Sequence, residues 1–328
     1  MSAARGFWGH WLRAAWRLWQ AGKGRRSASR GRQGAAGLDP GLIDVPVHYL
    51  ARRPYEPTDA ERQLKARDGW FYNHCVVAAR QVIDALGLST SADARVLDLG
   101  CGDGMMALGV CRSSAALVVG CDVTRAFDVL PAKAAELLDP PAVPDRLQFV
   151  QSQVGQPLPF SDGSFDAAYS WSVFEHVDSV AQLMRETLRI LRPGACFFLQ
   201  IEPLYHSPHG SHLRRLLDEP WAHLLHDEQD YLARIAQASS YVDDREKDML
   251  FHRNEFDAVK AYLMGEYRSL NRVRSHELIA QARAAGFTVE RCELGQVPAA
   301  SLPPGLLGRY SAHDLRTNEI RLWLRRPA

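Results

Sequence analysis

The first 38 residues of the sequence contain no aspartate and no glutamate. They contain eight basic residues, which are Arg5, Arg13, Arg17, Lys23, Arg25, Arg26, Arg30 and Arg32. Because the whole chain has a formal net charge of +1, the remaining residues carry a net charge of −7. A mainly acidic globular part does not attract a polyanion, so the composition argues against a nucleic-acid partner.

The sequence also lacks zinc-site cysteine spacings and long apolar runs. Six cysteines stand at positions 75, 101, 111, 121, 196 and 292, and no two of them form a C-x-x-C pair. We therefore expect no metal site, and reduced thiols in a cytoplasmic protein. No run approaches the ~20 apolar residues that span a bilayer, so the sequence predicts no transmembrane helix.

Residues 5–20 would form a helix with two chemically different faces. One face carries large apolar residues such as Trp8 and Trp11, and the other carries basic residues such as Arg13. This composition is typical of a helix that lies in a membrane interface, and it predicts a peripheral membrane location. A cleaved targeting peptide and a helix packed on the protein itself or on a partner stay open as alternatives. Residues 1–38 comprise this helix and a flexible basic linker.

The rest of the chain alternates short apolar runs with amphipathic stretches, which predicts an α/β protein with a doubly wound parallel sheet. Residues 39–93 are expected to form a lead-in helical region, and residues 94–328 the main domain. Residues 202–275 interrupt the alternation after the fifth predicted strand. They would form a helical cap at the carboxyl ends of the strands, where doubly wound sheets bind ligands.

A short apolar strand and a glycine-rich turn surround Asp98. Gly100, Gly102 and Gly104 follow it at alternate positions, and a helix is predicted to begin just after them. Glycines permit a tight turn and a close approach of the backbone to a ligand, and the N–H groups of a helix start attract an anion. The dinucleotide-binding fingerprint needs a small residue where Met105 stands, which disfavours a nicotinamide-dependent oxidoreductase.

Polar residues also follow the next two predicted strands. Asp122 ends the second strand, about twenty residues after the glycine turn, where a carboxylate can accept hydrogen bonds from both hydroxyls of a ribose. Alternatively, Asp122 would cap the segment after Val123. Gln153 follows the third strand, and its amide group can both donate and accept hydrogen bonds.

Two stretches together resemble the class I S-adenosylmethionine (SAM) dependent methyltransferases. The first is the acidic-x-G-x-G-x-G spacing around Asp98, and the second is Leu158-Pro159-Phe160-Ser161-Asp162-Gly163-Ser164-Phe165-Asp166, followed by Glu175-His176-Val177. The second stretch is similar to a signature of "methyltransferase type 11"-like members that act on small molecules, such as those of quinone biosynthesis. The resemblance covers about residues 65–325. It implies a Rossmann-like, seven-stranded sheet of order 3-2-1-4-5-7-6 with the last strand antiparallel.

The same resemblance implies SAM as the cofactor. Asp98 and the backbone of the turn would hold the methionine end, and Asp122 the ribose. Many members have an aspartate beside the adenine where this chain has Gln153, so Gln153 and its neighbour Val154 share that expectation. The expected cofactor-binding residues are Asp98, Gly100, Cys101, Gly102, Gly104, Asp122, Val123, Gln153, Val154 and Ser170.

Candidate catalytic residues come mainly from the histidines. Five of the twelve histidines fall between residues 206 and 226 of the insertion. They could form a metal site, bind the acceptor and take its proton, or serve as surface and packing residues. We favour the second use and expect His206 to be catalytic, with His176 and Glu175 as the other candidates.

The sequence thus predicts a SAM-dependent methyltransferase acting on a small-molecule, lipid-linked or glycan-like acceptor, with oxygen favoured as the acceptor atom. Methyl transfer from a sulfonium needs mainly in-line positioning, so an uncertain base does not count against an enzyme. The alternative is a catalytically inactive protein of the same fold that acts as a binding or assembly factor. A nucleic-acid methyltransferase is disfavoured, because Ser170-Trp171-Ser172-Val173 stands where such enzymes carry Asn/Asp-Pro-Pro-Tyr/Phe.

Overall fold

The computed structural model describes residues 47–49, 55–88, 94–139, 143–242 and 256–328. The helix expected at residues 5–20 and its linker lie outside these ranges. Within the ranges, no helix combines the length and the apolar character that crossing a membrane requires. All six cysteines are described, and each is buried as a free thiol.

Eight strands form a single sheet in the described part of the chain. In chain order they are β1 (Val47–Tyr49), β2 (Arg95–Leu99), β3 (Leu117–Asp122), β4 (Leu147–Gln151), β5 (Phe165–Trp171), β6 (Leu191–Ile201), β7 (Thr288–Gln296) and β8 (Thr317–Arg325). Their spatial order is β1-β7-β8-β6-β5-β2-β3-β4, and β8 runs antiparallel to both of its neighbours. Without β1, and read from the β4 edge, this is the predicted order 3-2-1-4-5-7-6, so the methyltransferase-type sheet is confirmed.

An eighth strand adds to the predicted seven and comes from the lead-in region, where the sequence predicts helices. This strand, β1, pairs in parallel with β7 along the register Val47↔Cys292. A three-residue strand is too short to show a periodic pattern, so it could not be predicted from the sequence. The pairing satisfies backbone groups that β7 would otherwise present at an open sheet edge.

The described helices lie on the two faces of the sheet and in a separate apolar cluster. They are α1 (Asp59–Arg67), α2 (Gly69–Tyr72), α3 (Ala79–Leu86), α4 (Met105–Ser113), α5 (Leu130–Leu137), α6 (Val180–Ile190), α7 (Ala222–Leu225), α8 (Glu228–Ala236), α9 (Phe256–Ser269), α10 (Ser275–Ala285) and α11 (Ala312–Arg316). A π-helical segment, Asn73–Ala78, joins α2 to α3, which ends at Gly87 in the left-handed conformation.

The apolar core lies in two layers, one on each face of the sheet. Leu97 and Leu99 of β2 face the layer that contains Met184 of α6 and Ile279 of α10. Val96 faces the opposite layer, which α4 and the lead-in helices build. Side chains of β2 are buried on both sides, as expected for a central parallel strand. The strand is therefore a rigid support for the turn that follows it.

The strand order reverses at β2, since β3 lies on one side of it and β5 on the other. Connections from these strands leave in opposite directions, so a crevice opens at their carboxyl ends. The glycine turn follows β2 at that point. The fold thus places the turn, Asp122 and the segment after β5 around one cleft.

A third apolar cluster forms a cap over the carboxyl ends of the strands. Leu213, Trp221, Tyr231 and Leu263 come from the predicted insertion. The cluster also contains Leu306 and Leu315, from the connection between β7 and β8. The cap is therefore built from two separate parts of the chain and not from residues 202–275 alone.

Candidate functional site

The three glycines of the turn after β2 all have positive φ, with values of 82° at Gly100, 52° at Gly102 and 78° at Gly104. A Cβ atom at Gly100 would lie 2.4 Å from a methyl group of Val173, and one at Gly104 would lie 2.6 Å from the ring of Phe149. A Cβ atom at Gly102 would meet no atom within 4 Å. Gly100 and Gly104 are thus required by packing, whereas Gly102 borders open space that a ligand can enter.

Two contacts hold the turn in place. The carbonyl of Cys121 accepts hydrogen bonds from the N–H groups of Gly100, at 2.7 Å, and Cys101, at 3.2 Å. Oδ2 of Asp122 accepts a hydrogen bond from the N–H of Gly102 at 2.9 Å. The end of β3 therefore fixes the backbone that a cofactor would approach.

The carboxylate of Asp122 also accepts two hydrogen bonds from Thr124, one from its N–H at 2.8 Å and one from its Oγ1 at 2.7 Å. Arg125, and not Asp122, occupies the N-cap position of the following 3₁₀ helix Ala126–Val129. Asp122 therefore caps the turn at Thr124 and shapes the loop after β3, although it is not the N-cap of the helix. Both bonds from Thr124 end on Oδ1, whereas Oδ2 accepts only the N–H of Gly102, so Oδ2 keeps a second lone pair to which a ribose hydroxyl can donate.

Asp98 is 2% exposed, and its Oδ2 has no hydrogen-bond partner in the described part of the structure. Desolvation raises the pKa of Asp98 to about 7, although the neighbouring Tyr169 hydroxyl acts in the opposite direction. A buried, unpartnered carboxyl oxygen is costly unless a ligand supplies a donor. The ammonium group at the methionine end of SAM is such a donor, so the residues present fit this cofactor.

Apolar side chains are exposed where β3 and β4 end. Val123 is 42% exposed and Val154 is 73% exposed. Nε2 of Gln151 donates to the carbonyl of Val123 at 3.0 Å, which links the two strand ends. Gln153 is exposed beside them. An adenine ring would cover these valines, and the amide of Gln153 offers both a donor and an acceptor.

Ser170 and Cys101 lie at the same strand ends but are turned inward. The hydroxyl of Ser170 is fully buried and donates to the carbonyl of Leu99 at 2.8 Å, which ties β5 to β2. Cys101 is also buried. A contact of either side chain with the cofactor stays a prediction.

The Glu175-His176 turn lies against the glycine turn through Val173, which packs on Gly100. The end of the cap holds this turn from the other side. Nδ2 of Asn271 donates to the carbonyls of Phe174, at 2.6 Å, and Val177, at 2.9 Å. The N–H of Asn271 donates to the carbonyl of Glu175 at 2.8 Å. The chain segment after α9 is thus fastened to the signature turn.

Helix α9 brings two side chains into the cleft that the sequence analysis did not identify. Oε2 of Glu266 lies 3.3 Å from Nδ1 of His176. Tyr262, one turn earlier, is 40% exposed, and desolvation followed by the carboxylates of Glu266 and Asp122 raises its pKa. Through Glu266 and Tyr262, α9 therefore lies near His176 and the carboxylate of Asp122.

Desolvation controls the charges of the histidine–glutamate pair. It lowers the pKa of His176 to about 3, with a further contribution from His212, and raises the pKa of Glu266 to about 7. An ion pair between them would instead raise the pKa of His176 and lower the pKa of Glu266. Near neutral pH, His176 is therefore a neutral imidazole, the form that can accept a proton.

Glu175 is a third titratable group beside this pair. Its side chain is 3% exposed, and neither carboxyl oxygen has a hydrogen-bond partner among the residues described. Desolvation raises the pKa of Glu175 to about 8; its own backbone lowers the value and Glu266 raises it. A protonated Glu175 can donate a hydrogen bond to a group in the cleft.

The structure does not bring His206 to the glycine turn. His206 lines a separate cavity in the cap, together with residues such as His223 and Arg274. Desolvation, followed by Arg274, lowers its pKa to about 3. A catalytic role for His206 stays a prediction, whereas His176 and Glu175 stand next to the turn.

The described ranges contain no group of three or more histidine, cysteine, aspartate or glutamate side chains arranged to hold a metal ion. The five histidines of the insertion are dispersed. Nε2 of His223 contacts the carbonyl of Tyr205 at 2.7 Å, Nε2 of His226 contacts Glu219 at 2.8 Å, and His212 stacks edge-on against His176 at 5.3 Å.

A cofactor cleft built on a glycine turn at the switch point of this sheet defines the Rossmann-like methyltransferase class. Residues 97–199 match the family model described as "Methyltransferase domain". This part of the chain is therefore a class I methyltransferase domain, a family that uses SAM as its methyl donor.

Relatives with assigned names agree with this family. The chain is 32% identical over 156 residues to O-methyltransferase resE of Aspergillus sclerotiorum. The aligned residues cover 47% of this chain and 53% of that protein. It is 34% identical over 113 residues to the ubiquinone biosynthesis O-methyltransferase of Xanthomonas oryzae pv. oryzae, covering 33% and 43%. It is 33% identical over 103 residues to sterol 24-C-methyltransferase ERG6B of Gibberella zeae, covering 31% and 26%. The chain thus spans about half the length of the first relative, and less of the others.

Replacing Glu175 by glutamine should change how stability depends on pH. Between the ordinary pKa, 4.5, and the folded value of about 8, the folded state keeps a proton that the unfolded state has lost. The free energy of unfolding therefore falls as pH rises through this window. Glutamine has no proton to lose, so the stability of Glu175→Gln relative to the parent should increase from about pH 5 to about pH 9.

Urea unfolding at several pH values, without cofactor, measures this difference. Glu136→Gln, on the exposed surface of α5, makes the same chemical change outside the cleft and serves as the control. If the plot of unfolding free energy against pH for Glu175→Gln stays parallel to the plot for the parent protein across this window, Glu175 is not a buried, protonated group.

Proposed function

We propose that the protein transfers a methyl group from SAM to a hydroxyl oxygen of a small-molecule acceptor held between the glycine turn and the cap. The observation that carries the proposal is the position of His176. It is neutral, it lies on the segment that packs against the glycine turn, and Glu266 stands 3.3 Å from its Nδ1.

The chemistry required of the protein is modest. SAM, when bound, supplies a methyl group on a positively charged sulfur that leaves readily. Attack by the acceptor oxygen would form the new bond to the methyl carbon and would leave the electron pair of the broken carbon–sulfur bond on sulfur. His176 accepts the hydroxyl proton, and the ionised form of Glu266, whose pKa is raised to about 7, stabilises the imidazolium that results. The main task of the cleft is to hold the oxygen in line at about 3–3.5 Å from the methyl carbon.

Two of the relatives support oxygen as the acceptor atom, because their names describe them as O-methyltransferases. The sterol 24-C-methyltransferase gives the competing possibility that carbon receives the methyl group. A hydroxyl acceptor needs a base more than a carbon acceptor does, and the neutral His176 in the cleft favours oxygen. A lipid-linked or glycan-like acceptor is a further part of the proposal.

Gly102→Ala tests the cofactor site without disturbing its packing. A methyl group at Gly102 would project into open space within the cleft, so it should obstruct the cofactor. We expect affinity for S-adenosylhomocysteine, measured by isothermal titration calorimetry, to fall at least about tenfold, which corresponds to roughly 1.4 kcal/mol.

Gly163→Ala is the matched control, since Gly163 also has a positive φ, 61°, and lies in the turn before β5, at the amino end of that strand. The backbone strain in Gly163→Ala is similar to that in Gly102→Ala. The affinity of Gly163→Ala for S-adenosylhomocysteine should equal that of the parent protein. Equal affinities for Gly102→Ala and Gly163→Ala would show that the cofactor does not approach Gly102.

The proposed base is tested by single-turnover methyl transfer from labelled SAM to acceptors in extracts of the source cells. His176→Gln should slow transfer to a hydroxyl acceptor by about 10²–10⁴-fold, the range of general base catalysis. Glu266→Gln should reduce the rate less, because it keeps the base and removes only the group that stabilises the charged imidazole. Affinity for S-adenosylhomocysteine should be retained in both variants.

His209→Gln controls for loss of a histidine, because His209 faces Asp218 at 3.8 Å and is not part of the His176–Glu266 pair. An unchanged rate in His176→Gln would exclude His176 as the base. If the parent protein binds S-adenosylhomocysteine but transfers no label to any extract component, the catalytically inactive binding or assembly factor becomes the better assignment.

We also propose that residues 5–20 bind a membrane surface and deliver the protein to a lipid-linked acceptor. The support is the tryptophan-rich apolar face opposite the arginines. Full-length protein should co-sediment with anionic liposomes, whereas a chain that begins at Leu38 should stay in the supernatant. Equal sedimentation of the two proteins would remove this proposal and leave the methyltransferase assignment unaffected.

A further inference from the structure

A second cavity, of about 440 Å³, lies within the cap. Its walls come from the loop after β6, from α7 and α8, from the segment between α9 and α10, and from the chain before α11. None of the expected cofactor-binding residues lines it. Its volume is in the range of small-molecule sites, so it is large enough for a ligand of its own.

Two arginines in this cavity have no carboxylate partner within the described ranges. The guanidinium of Arg272 lies 4.9 Å from the centre of the Tyr205 ring. The guanidinium of Arg309 lies 5.4 Å from the Tyr310 ring, and its Nη1 donates to the carbonyl of Leu224 at 3.1 Å. Aromatic faces and a backbone carbonyl hold these cations in fixed positions without neutralising them.

A third arginine, Arg274, is only partly compensated. Its Nε lies 3.4 Å from Asp314 and makes no hydrogen bond within the described part of the chain, and Nη1 lies 3.7 Å from Glu277. The other acidic groups lie at the exposed start of α8, where Asp227 accepts from the N–H of Gln229 at 2.8 Å. Glu228, at the same helix start, acts electrostatically on Tyr205 and Tyr267 and forms no ion pair with Arg272 or Arg309 in the described ranges. Arg272 and Arg309 thus line the cavity without a carboxylate partner among the residues described.

His206 adds a buried donor to the same cavity. It is 6% exposed, and its ring makes no hydrogen bond with any described residue. The rings of Tyr205 and Tyr310 flank it, each with its centre 5.4 Å away. Arg274 and Arg272 both contribute, after desolvation, to the lowered pKa of His206, which places the imidazole in a positive field. A neutral imidazole there has one N–H to offer a ligand.

We propose that this cavity binds the phosphate group of a small phosphorylated metabolite. Guanidinium groups from separate chain segments meet there with an unpartnered histidine. A tetrahedral phosphate accepts hydrogen bonds from several directions at once, whereas one arginine fork already satisfies a planar carboxylate. The site is independent of the proposed methyl transfer, since it shares no residue with the cofactor cleft.

Titration calorimetry on the full-length protein at constant ionic strength tests this assignment, with inorganic phosphate and glycerol 3-phosphate as separate probes. We expect saturable binding at one site per chain, weakened at least about tenfold by Arg272→Gln and by Arg309→Gln. Both arginines are exposed at the cavity wall, so neither change should unfold the protein. Arg185→Gln, on the exposed face of α6, removes the same charge elsewhere and should bind like the parent.

The two probes distinguish the source of the phosphate. Tighter binding of glycerol 3-phosphate assigns the cavity to an organic phosphate, and tighter binding of inorganic phosphate assigns it to the free anion. Absence of saturable binding by both probes, or equal weakening in Arg185→Gln, overturns the proposal. Affinity of the same variants for S-adenosylhomocysteine should be unchanged, so failure of this site is distinguishable from failure of the cofactor site.

Discussion

The close packing of Val173 on Gly100 is the constraint on which the rest of the site depends. A Cβ atom at Gly100 would lie 2.4 Å from a Val173 methyl group, so only glycine allows the segment after β5 to approach the turn after β2. That approach brings the cofactor side and the acceptor side of the cleft together. His176 reaches the cleft because Val173, three residues earlier, fits against a residue with no side chain.

Desolvation, and not pairing, sets the charges around this contact. Glu175, Glu266 and Asp98 have raised pKa values because burial disfavours their ionised forms, and the same burial lowers the pKa of His176. Near neutral pH, Asp98 and Glu266 are therefore close to the midpoint of their titration, with pKa values of about 7. A positively charged ligand in the cleft would favour their ionised forms, so the charge of the cleft depends on what it binds.

Much of the fold could be predicted from the sequence, for physical reasons that are clear in the structure. The central strands are buried on both faces, so their apolar runs are unbroken, and the glycine spacing reflects backbone conformations that other residues avoid. Asp122 follows its strand at the expected distance and contacts the turn directly, through the N–H of Gly102. These features are local in sequence, which is why a single chain reveals them.

The features that were missed depend on contacts between distant parts of the chain. Glu266 and Asn271 meet the Glu175-His176 turn about 90 residues away, and nothing in a helical pattern shows which neighbour a glutamate will face. Strand β1 has only three residues, so it has no periodicity to detect. His206 follows a strand at the carboxyl edge, as a catalytic residue often does, but its side chain enters the cap cavity.

The construction of the cap from two separated chain segments has a mechanical consequence. One segment leaves the sheet after β6, and the other connects β7 to β8, so the cap is joined to the sheet at several points and not through one linker. A body attached in this way cannot swing about a single pivot. Entry and exit of a bulky acceptor would then require rearrangement within the cap itself, and a shift of α9 would carry Leu263 and its apolar neighbours with it.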